Sequence, residues 1–553
     1  MKPYLFATLF LVILACGKKS SNPPFTPLPL NFDQLGWTVG DNANLVENDG
    51  VTPDVTVKVR FQAPIDRSSV TAAIDFKDAS GIAVPFNTSF EKDDSIVVVK
   101  PNSDLPSLTR YTITVKPTLK SKEGGQLRNT ISFNLLTQID TRPKFPTVSD
   151  DELVEIVQKQ TFKYFWDFGH PVSGLSRERN NSGDLVTSGG SGFGVMAIVT
   201  GIHRNFIGRT EGLERIQKMT NFLKNIAKRY HGAYPHWLNG ATGATIPFSS
   251  KDDGADLVET SYLVMGLLTA RQYFNGSNVA ETALRDSINA LVDDVEWSWF
   301  RKNNENLLYW HWSPNFGWDM NLPIRGWNEC LITYVLAASS NKYGIPKLVY
   351  DNGWAQNGNM RNNNQYYGYT LPVGSAFGGP LFFSHYSFLG INPNGLTDAY
   401  ANYKDQVTNH TKINYEYCKA NPKQFYGYSA SCWGLTASDI PGGYAASSPT
   451  NDIGVIAPTA ALSSFPYTPT ESMAALKFFY YTLGDKLFKE YGFVDAFALK
   501  NPWFANSFLA IDQGPILIMI ENHRSGLLWN LFTSCSEVKT GMKGLGFTAP
   551  WLN

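Results

Sequence analysis

Four carboxylates, Asp252, Asp253, Asp256 and Glu259, fall within eight residues, and an apolar run, Leu263-Val264-Met265-Gly266-Leu267-Leu268, follows at once. On a helix, Asp252, Asp256 and Glu259 sit at i, i+4 and i+7 on one face. No Lys or Arg at helical spacing offsets Asp256 or Glu259, and the next basic residue is Arg271. Like charges so placed cost a helix roughly a few tenths of a kcal/mol per pair, so the cluster needs a reason. Capping is one: Asp252 or Asp253 as N-cap, with acids in the first turn facing the positive end of the helix dipole. It accounts well for Asp252 and Asp253 and poorly for Glu259. The other is a catalytic or sugar-binding acid group at a helix mouth. Spacing alone divides evenly between the two.

A fifth acid, Glu329, stands in Arg325-Gly326-Trp327-Asn328-Glu329 at the head of an apolar segment. A carboxyl against an apolar Trp has its pKa raised, as a general acid requires; a salt bridge to Arg325 would lower it instead. Asp512, in Ala510-Ile511-Asp512-Gln513-Gly514-Pro515, lies between apolar runs and should be buried with a partner. Pro515 is placed to begin a helix at its first position. The Gly-rich stretch 183–194 is no phosphate loop, for it lacks Gly-Lys-Ser/Thr and no strand is expected before it. Loops at 432–460 combine small, polar and aromatic residues, as a sugar cleft would; turn chemistry explains their Gly and Pro but not Trp433 and Tyr444. The eight histidines show no spacing of paired metal ligands, and neither a nucleophile elbow nor a dinucleotide fingerprint is present.

These groups need a large scaffold, and 553 residues allow two or three domains. A formal net charge of -1 gives no electrostatic case for nucleic acid. Aromatics make up 14% of the chain, enough for a large core or for stacking platforms under sugar rings. Residues 1–16 read as a signal segment whose Leu14-Ala15-Cys16 resembles the bacterial lipoprotein cleavage box, with Cys16 as the lipidated residue. Residues 17–32 then form a Pro-rich tether. The implied location is the bacterial envelope, held to the membrane by the lipid alone, with the periplasmic face favoured. Cys330, Cys418, Cys432 and Cys535 are expected as buried free thiols, one disulfide being allowed.

From about 33 to 140, short alternating segments separated by turns indicate an antiparallel β-sandwich. Its layout resembles bacterial Ig-like modules, notably at residues 61–70 and 105–111. After a linker near 141–146, Ser149-Asp150-Asp151-Glu152 is a capping signature. Helical periodicity follows over 151–168, 192–205, 213–230, 255–274, 281–300, 326–338, 379–388, 397–418, 457–463, 469–483 and 502–520. About a dozen helices with long loops fit a toroid of paired helices whose loops build a cleft.

Residues 148–553 resemble the bacterial glucoamylase-like family and, within it, glycoside hydrolase family 144, the β-1,2-glucanases. Six stretches carry the resemblance: 189–194, 253–260, 326–329, 433–439, 457–460 and 512–515. It implies an (α/α)6 barrel behind the Ig-like sandwich and hydrolysis of β-1,2-glucan with inversion. No cofactor or metal is implied, and the chain is expected to act as a monomer. Its functional acids map to Asp252, Asp256, Glu259 and Glu329. Inversion needs an acid and a base roughly 6.5–9.5 Å apart. Glu329 is expected as the acid, and the base comes from the 252–259 group first and Asp512 second. Expected sugar contacts are Trp318, Arg325, Trp327, Trp433, Tyr444, Asp452 and His523. An exo-acting or other-linkage glucanase shares these motifs, and a non-catalytic glycan-binding lipoprotein is the alternative from another class.

Overall fold

In a computed structural model, residues 30–553 are described. The signal segment with Cys16 and most of the tether lie outside them. The chain divides into two compact units between Gln138 and Ile139.

The first unit is a sandwich of two sheets. One orders Asn42–Ala43, Gln34–Val39, Val57–Phe61, Ile96–Pro101 and Phe86–Glu91; the other orders Glu47–Val51, Ile131–Thr137, Arg110–Val115 and Ile74–Asp78. Pairing is antiparallel except between Glu47–Val51 and Ile131–Thr137, which run parallel. Alternation places Val57, Val59 and Phe61 inside and leaves Lys58 and Arg60 outward. These residues close one core with Val97, Val99, Ile113, Val115, Phe133 and Leu135.

The second unit is helical. It opens with Asp150–Trp166, where the Ser149 side chain accepts from the Glu152 N–H and three acids occupy the first turn. Ser188–His203, Leu257–Tyr273 and Ala510–Arg524 are buried on nearly every face. The first two cross backbone to backbone. A Cβ on Gly192 would stand 2.1 Å from the Tyr262 carbonyl oxygen, and one on Gly266 would stand 2.2 Å from that of Gly192. The Phe193 side chain packs against Gly514, where a Cβ would stand 2.6 Å from the Phe193 Cβ. Around this centre the amphipathic Arg209–Asn225 lies on Val279–Asp293, and the buried Leu331–Ser339 lies on the amphipathic Ser536–Leu545.

Three expectations change. Segment 379–388 forms short 3-10 turns, Leu381–Ser384 and Ser387–Leu389, because Gly378, Gly379 and Pro380 break the run. Pro515 sits inside Ala510–Arg524 rather than at its start, so Asp512 belongs to that helix's first turn. The helices expected at 255–274, 326–338, 397–418 and 502–520 begin later, at Leu257, Leu331, Tyr403 and Ala510. Cys330, Cys418, Cys432 and Cys535 are buried free thiols. Among the described residues, no helix is long and apolar enough to cross a membrane.

Candidate active site

Asp256 is the N-cap of Leu257–Tyr273. Its Oδ1 accepts the N–H groups of Val258 and Glu259 at 3.0 and 2.9 Å. Its Oδ2 meets His236 Nδ1 at 3.0 Å and Trp310 Nε1 at 3.3 Å. Two-residue strands, Ala255–Asp256 and His311–Trp312, set its backbone. Glu259, one turn on, accepts the Gly189 N–H at 2.9 Å and the Thr187 hydroxyl at 3.2 Å. A Cβ at position 189 would lie 2.4 Å from Glu259 Oε2 and 2.9 Å from the Tyr262 ring, so a larger residue there would displace the Glu259 carboxyl. Burial nonetheless raises the Glu259 carboxyl above its ordinary range.

Asp252 is not on this helix. A turn closed by the Phe248 and Asp252 N–H groups carries it, so the three acids converge without sharing one helical face. Its Oδ1 is buried without a hydrogen-bond partner. Burial, then the charge of Asp256, pushes its pKa up to about 7. Asp253 caps nothing; its Oδ2 accepts from Asn315 Nδ2 at 2.6 Å. A short strand, Leu185–Thr187, does precede Ser188–His203, yet the helix start receives Glu259 rather than a phosphate.

Spacing gave no sign of His236. Burial disfavours its charge, but Glu259, Asp256 and Asp252 together lift it to about 9. Phe248, 49% exposed, packs over its ring at 4.3 Å. Ligand atoms of His236, Asp252 and Asp256 lie within 4.8 Å of one another, which metal-ligand spacing in the sequence did not reveal. Both Asp256 oxygens are already engaged, and His236 spends Nδ1 on Asp256 as a cation. The set is an ion-paired network and fits a bound metal poorly. His311 adds a buried ring with neither nitrogen hydrogen-bonded.

Glu329 occupies the turn before Leu331–Ser339, where its carbonyl accepts from Tyr262 Oη at 3.4 Å and from Ser387 Oγ. The side chain is only partly exposed, in a recess. Enclosure, followed by the charges of Glu259 and Asp256, pushes it up to about 7. Among the described residues it forms no salt bridge with Arg325, which is exposed and lines a separate polar depression with Glu305, Asn352 and Gln356.

A second acid group stands at the start of Ala510–Arg524. Asp512 and Asp495 are 2% and 1% exposed, and Asp512 Oδ2 and Asp495 Oδ1 are buried with no hydrogen-bond partner. The Asp439 N–H donates to Asp495 Oδ2 at 2.6 Å, while the Asp439 carboxylate receives Arg179 Nη1 at 3.2 Å and Ser507 Oγ at 2.5 Å. Burial, then Asp495, raises Asp512 well above the carboxylate range. Burial, then the charges of Asp512, Glu329 and Glu259 within its electrostatic reach, raises the Tyr386 phenol well above its ordinary range. It packs with Tyr262 at 5.7 Å and Phe193 at 5.5 Å.

Most of the expected sugar contacts lie elsewhere. Trp327 is core, among Trp354, Phe388 and Tyr403. Trp433 is fully buried, with Nε1 donating to the Glu471 carbonyl at 3.2 Å. Asp452 clasps a loop, accepting from Tyr417 Oη, Tyr428 Oη and the Gly454 N–H. His523 is in the last turn of the helix that begins beside Asp512, about 16 Å away along its axis. Trp318 packs at a tilt on Trp299, with ring centroids 4.9 Å apart, in an aromatic group that reaches Trp312 beside His311. Tyr444, 47% exposed near a hairpin turn, stands within electrostatic reach of Asp512.

Comparison with known proteins bears on the same region. Residues 321–536 match a family model described as "Putative glucoamylase", and residues 42–135 match one described as "Bacterial Ig-like domain". The chain is 47% identical over 418 residues to an exo β-1,2-glucooligosaccharide sophorohydrolase (non-reducing end) of Parabacteroides distasonis. That alignment covers 72% of this chain and 58% of the relative, less than two thirds of its length. An endo-β-1,2-glucanase from Chitinophaga pinensis is 52% identical with a TM-score of 0.72, covering 73% of this chain and all of that one. A β-1,2-glucanase from Parabacteroides distasonis is 36% identical with a TM-score of 0.70, covering 95% of this chain and 74% of that one. The chain belongs to the bacterial glucoamylase-like family, in the glycoside hydrolase family 144 type that contains β-1,2-glucanases, and it carries an N-terminal bacterial Ig-like domain.

Proposed function

We propose that the protein hydrolyses β-1,2-glucan with inversion, in a catalytic unit built as an (α/α)6 barrel. The observation that carries this reading is an enclosed carboxyl, Glu329, pushed up to about 7 by burial and by the charges of Glu259 and Asp256. Named relatives of the same family act on β-1,2-linked glucans. Glu329 is the general acid, giving its proton to the leaving glycosidic oxygen as the C1–O bond breaks. The base activates water on the opposite face. Asp512 takes that role ahead of the 252–259 group, because Asp256 and Glu259 are occupied by capping and helix-end bonds. Those residues, with His236, hold the sugar and fix the charge around it.

Endo and exo action each have a relative in support, the Chitinophaga glucanase and the sophorohydrolase. Products from several β-linked glucans, with anomers resolved, decide linkage, end preference and stereochemistry together. Glu329→Gln should slow hydrolysis of polymeric β-1,2-glucan by about 100-fold or more. An unchanged rate rejects the acid assignment. A parent protein that binds glucan but releases no reducing ends is instead a glycan-binding protein. The reading includes a monomer anchored in the bacterial envelope through a lipid on Cys16, on the periplasmic face.

A further inference from the structure

An open depression of about 360 Å³ lies between the hairpin of Ala437–Ile440 with Gly443–Ala446 and the segment 503–507. Ligand sites begin at roughly this size. Arg179, Asp439, Gly442, Trp503 and Asn506 stand on its walls. Backbone bonds place it beside Asp512. Arg179 pairs with Leu509, the residue before Ala510–Arg524, and the Ala510 N–H donates to the Glu178 carbonyl at 3.0 Å. Asp512 follows in the first turn, with its N–H on the Leu509 carbonyl. Asn180 joins the two walls: its Nδ2 donates to the Asn506 carbonyl at 3.0 Å, and its Oδ1 accepts the Phe508 N–H at 3.1 Å. Downstream of Asn180 the chain enters Ser188–His203, whose Gly189 N–H meets Glu259. One strip of chain thus ties the depression to both helix starts at which acids stand.

The walls suit a neutral ligand rich in hydroxyls. Arg179 is balanced by Glu178 and Asp439, at 2.8 and 3.2 Å, which disfavours an anion. Both Asp439 oxygens receive Arg179 and one also receives Ser507, which disfavours a metal ion. Polar groups are left over. Among the described residues, no hydrogen bond engages Arg179 Nη2, Trp503 Nε1 or the Asn506 side-chain amide. Trp503 is half-buried and paired with Ala498 across a hairpin, so its indole is held in place. At the hairpin turn, a Cβ on Gly442 would meet nothing within 4 Å, so the backbone there is open. We propose that this depression is a glucosyl-binding subsite, holding a unit of the β-1,2-glucan chain away from the bond that is cleaved. Trp503 packs on the C–H face of the sugar ring, and Arg179 and Asn506 take its hydroxyls. The proposal rests on the substrate reading above. It makes affinity grow with chain length through residues that touch none of the reacting atoms.

Retention in native gels containing soluble β-1,2-glucan, together with KM on chains of graded length, tests this. Trp503→Ala and Asn506→Ala should each weaken retention about fivefold or more. KM should rise by a similar factor on the polymer and by progressively less as the chain shortens. Asn506 is exposed and its side chain bonds to nothing, so its variant folds even where the Trp503 one does not. Parent-like retention of Asn506→Ala overturns the subsite, as do equal losses on long and short chains. Neither result touches the hydrolase reading while the parent stays active. A parent that is retained but cleaves nothing rejects the hydrolase reading alone, and retention of the variants still decides the subsite. A parent that β-1,2-glucan does not retain rejects both.

Discussion

A carboxyl that keeps its proton to neutral pH lowers the stability of the fold that holds it. Asp252 and Glu329 rise from 3.8 and 4.5 to about 7, so the native state binds protons that the unfolded chain has already released. Stability contributed by these groups falls as pH rises from about 4 to about 7. His236, raised from 6.5 to about 9, acts in the next window: its charge stabilises fully below about 6.5 and the benefit is lost as pH rises through 9. Glu281, held at about 2 by Arg209, contributes only to losses below about pH 4.5. The urea midpoint should therefore decline from pH 5 to pH 9.5. Asp252→Asn should flatten the lower half of that decline and His236→Gln the upper half, each by about 1–3 kcal/mol. An unchanged slope in either variant refutes its assignment. The unbalanced charge of the 252–259 group was legible in the chain because its members are sequence neighbours. His236 and Asp495 were not, since their partners lie 20 and 56 residues away and only the fold brings them together.

Among elements, the crossing of Ser188–His203 with Leu257–Tyr273 determines where the acids stand. Gly192 and Gly266 let the two backbones touch, and that approach delivers the Gly189 N–H to Glu259. Gly192→Ala should cost about 3 kcal/mol, because its Cβ meets a carbonyl oxygen that cannot swing aside. Thermal melting and glucanase activity should fall together, since Glu259 and Tyr262 ride on the displaced helix. Normal melting with normal activity would show that the crossing tolerates a methyl. The Gly-rich stretch could be told from a phosphate loop in the sequence, but the helix it crosses could not be read there. The helix starts at Leu257 and Leu331 came later than periodicity suggests. Asp256 caps one, and Asn328 turns the chain before the other with its Oδ1 on the Cys330 N–H.

Across the whole molecule, the first unit closes a core of its own and every acid discussed above lies in the second. A chain beginning at residue 139 should keep the hydrolytic rate of the parent. Cys16→Ser in the full chain should also keep it while losing fatty-acid labelling. Loss of activity on truncation would give the Ig-like unit a catalytic part, and retained labelling would place the lipid elsewhere. The two-unit plan was readable because alternation of period two gives way to helical periodicity near the linker. The use of the aromatics was not: Trp327 and Trp433 look like sugar platforms in their motifs, but both are consumed by the core. The crossing glycines also have a kinematic consequence. Two helices in backbone contact cannot slide or roll past each other, so the cleft floor is a fixed bearing. Whatever motion threads a polymer in or lets a product go is left to the rim, where the Ala437–Ile440 and Gly443–Ala446 hairpin carries Tyr444 beside Asp512.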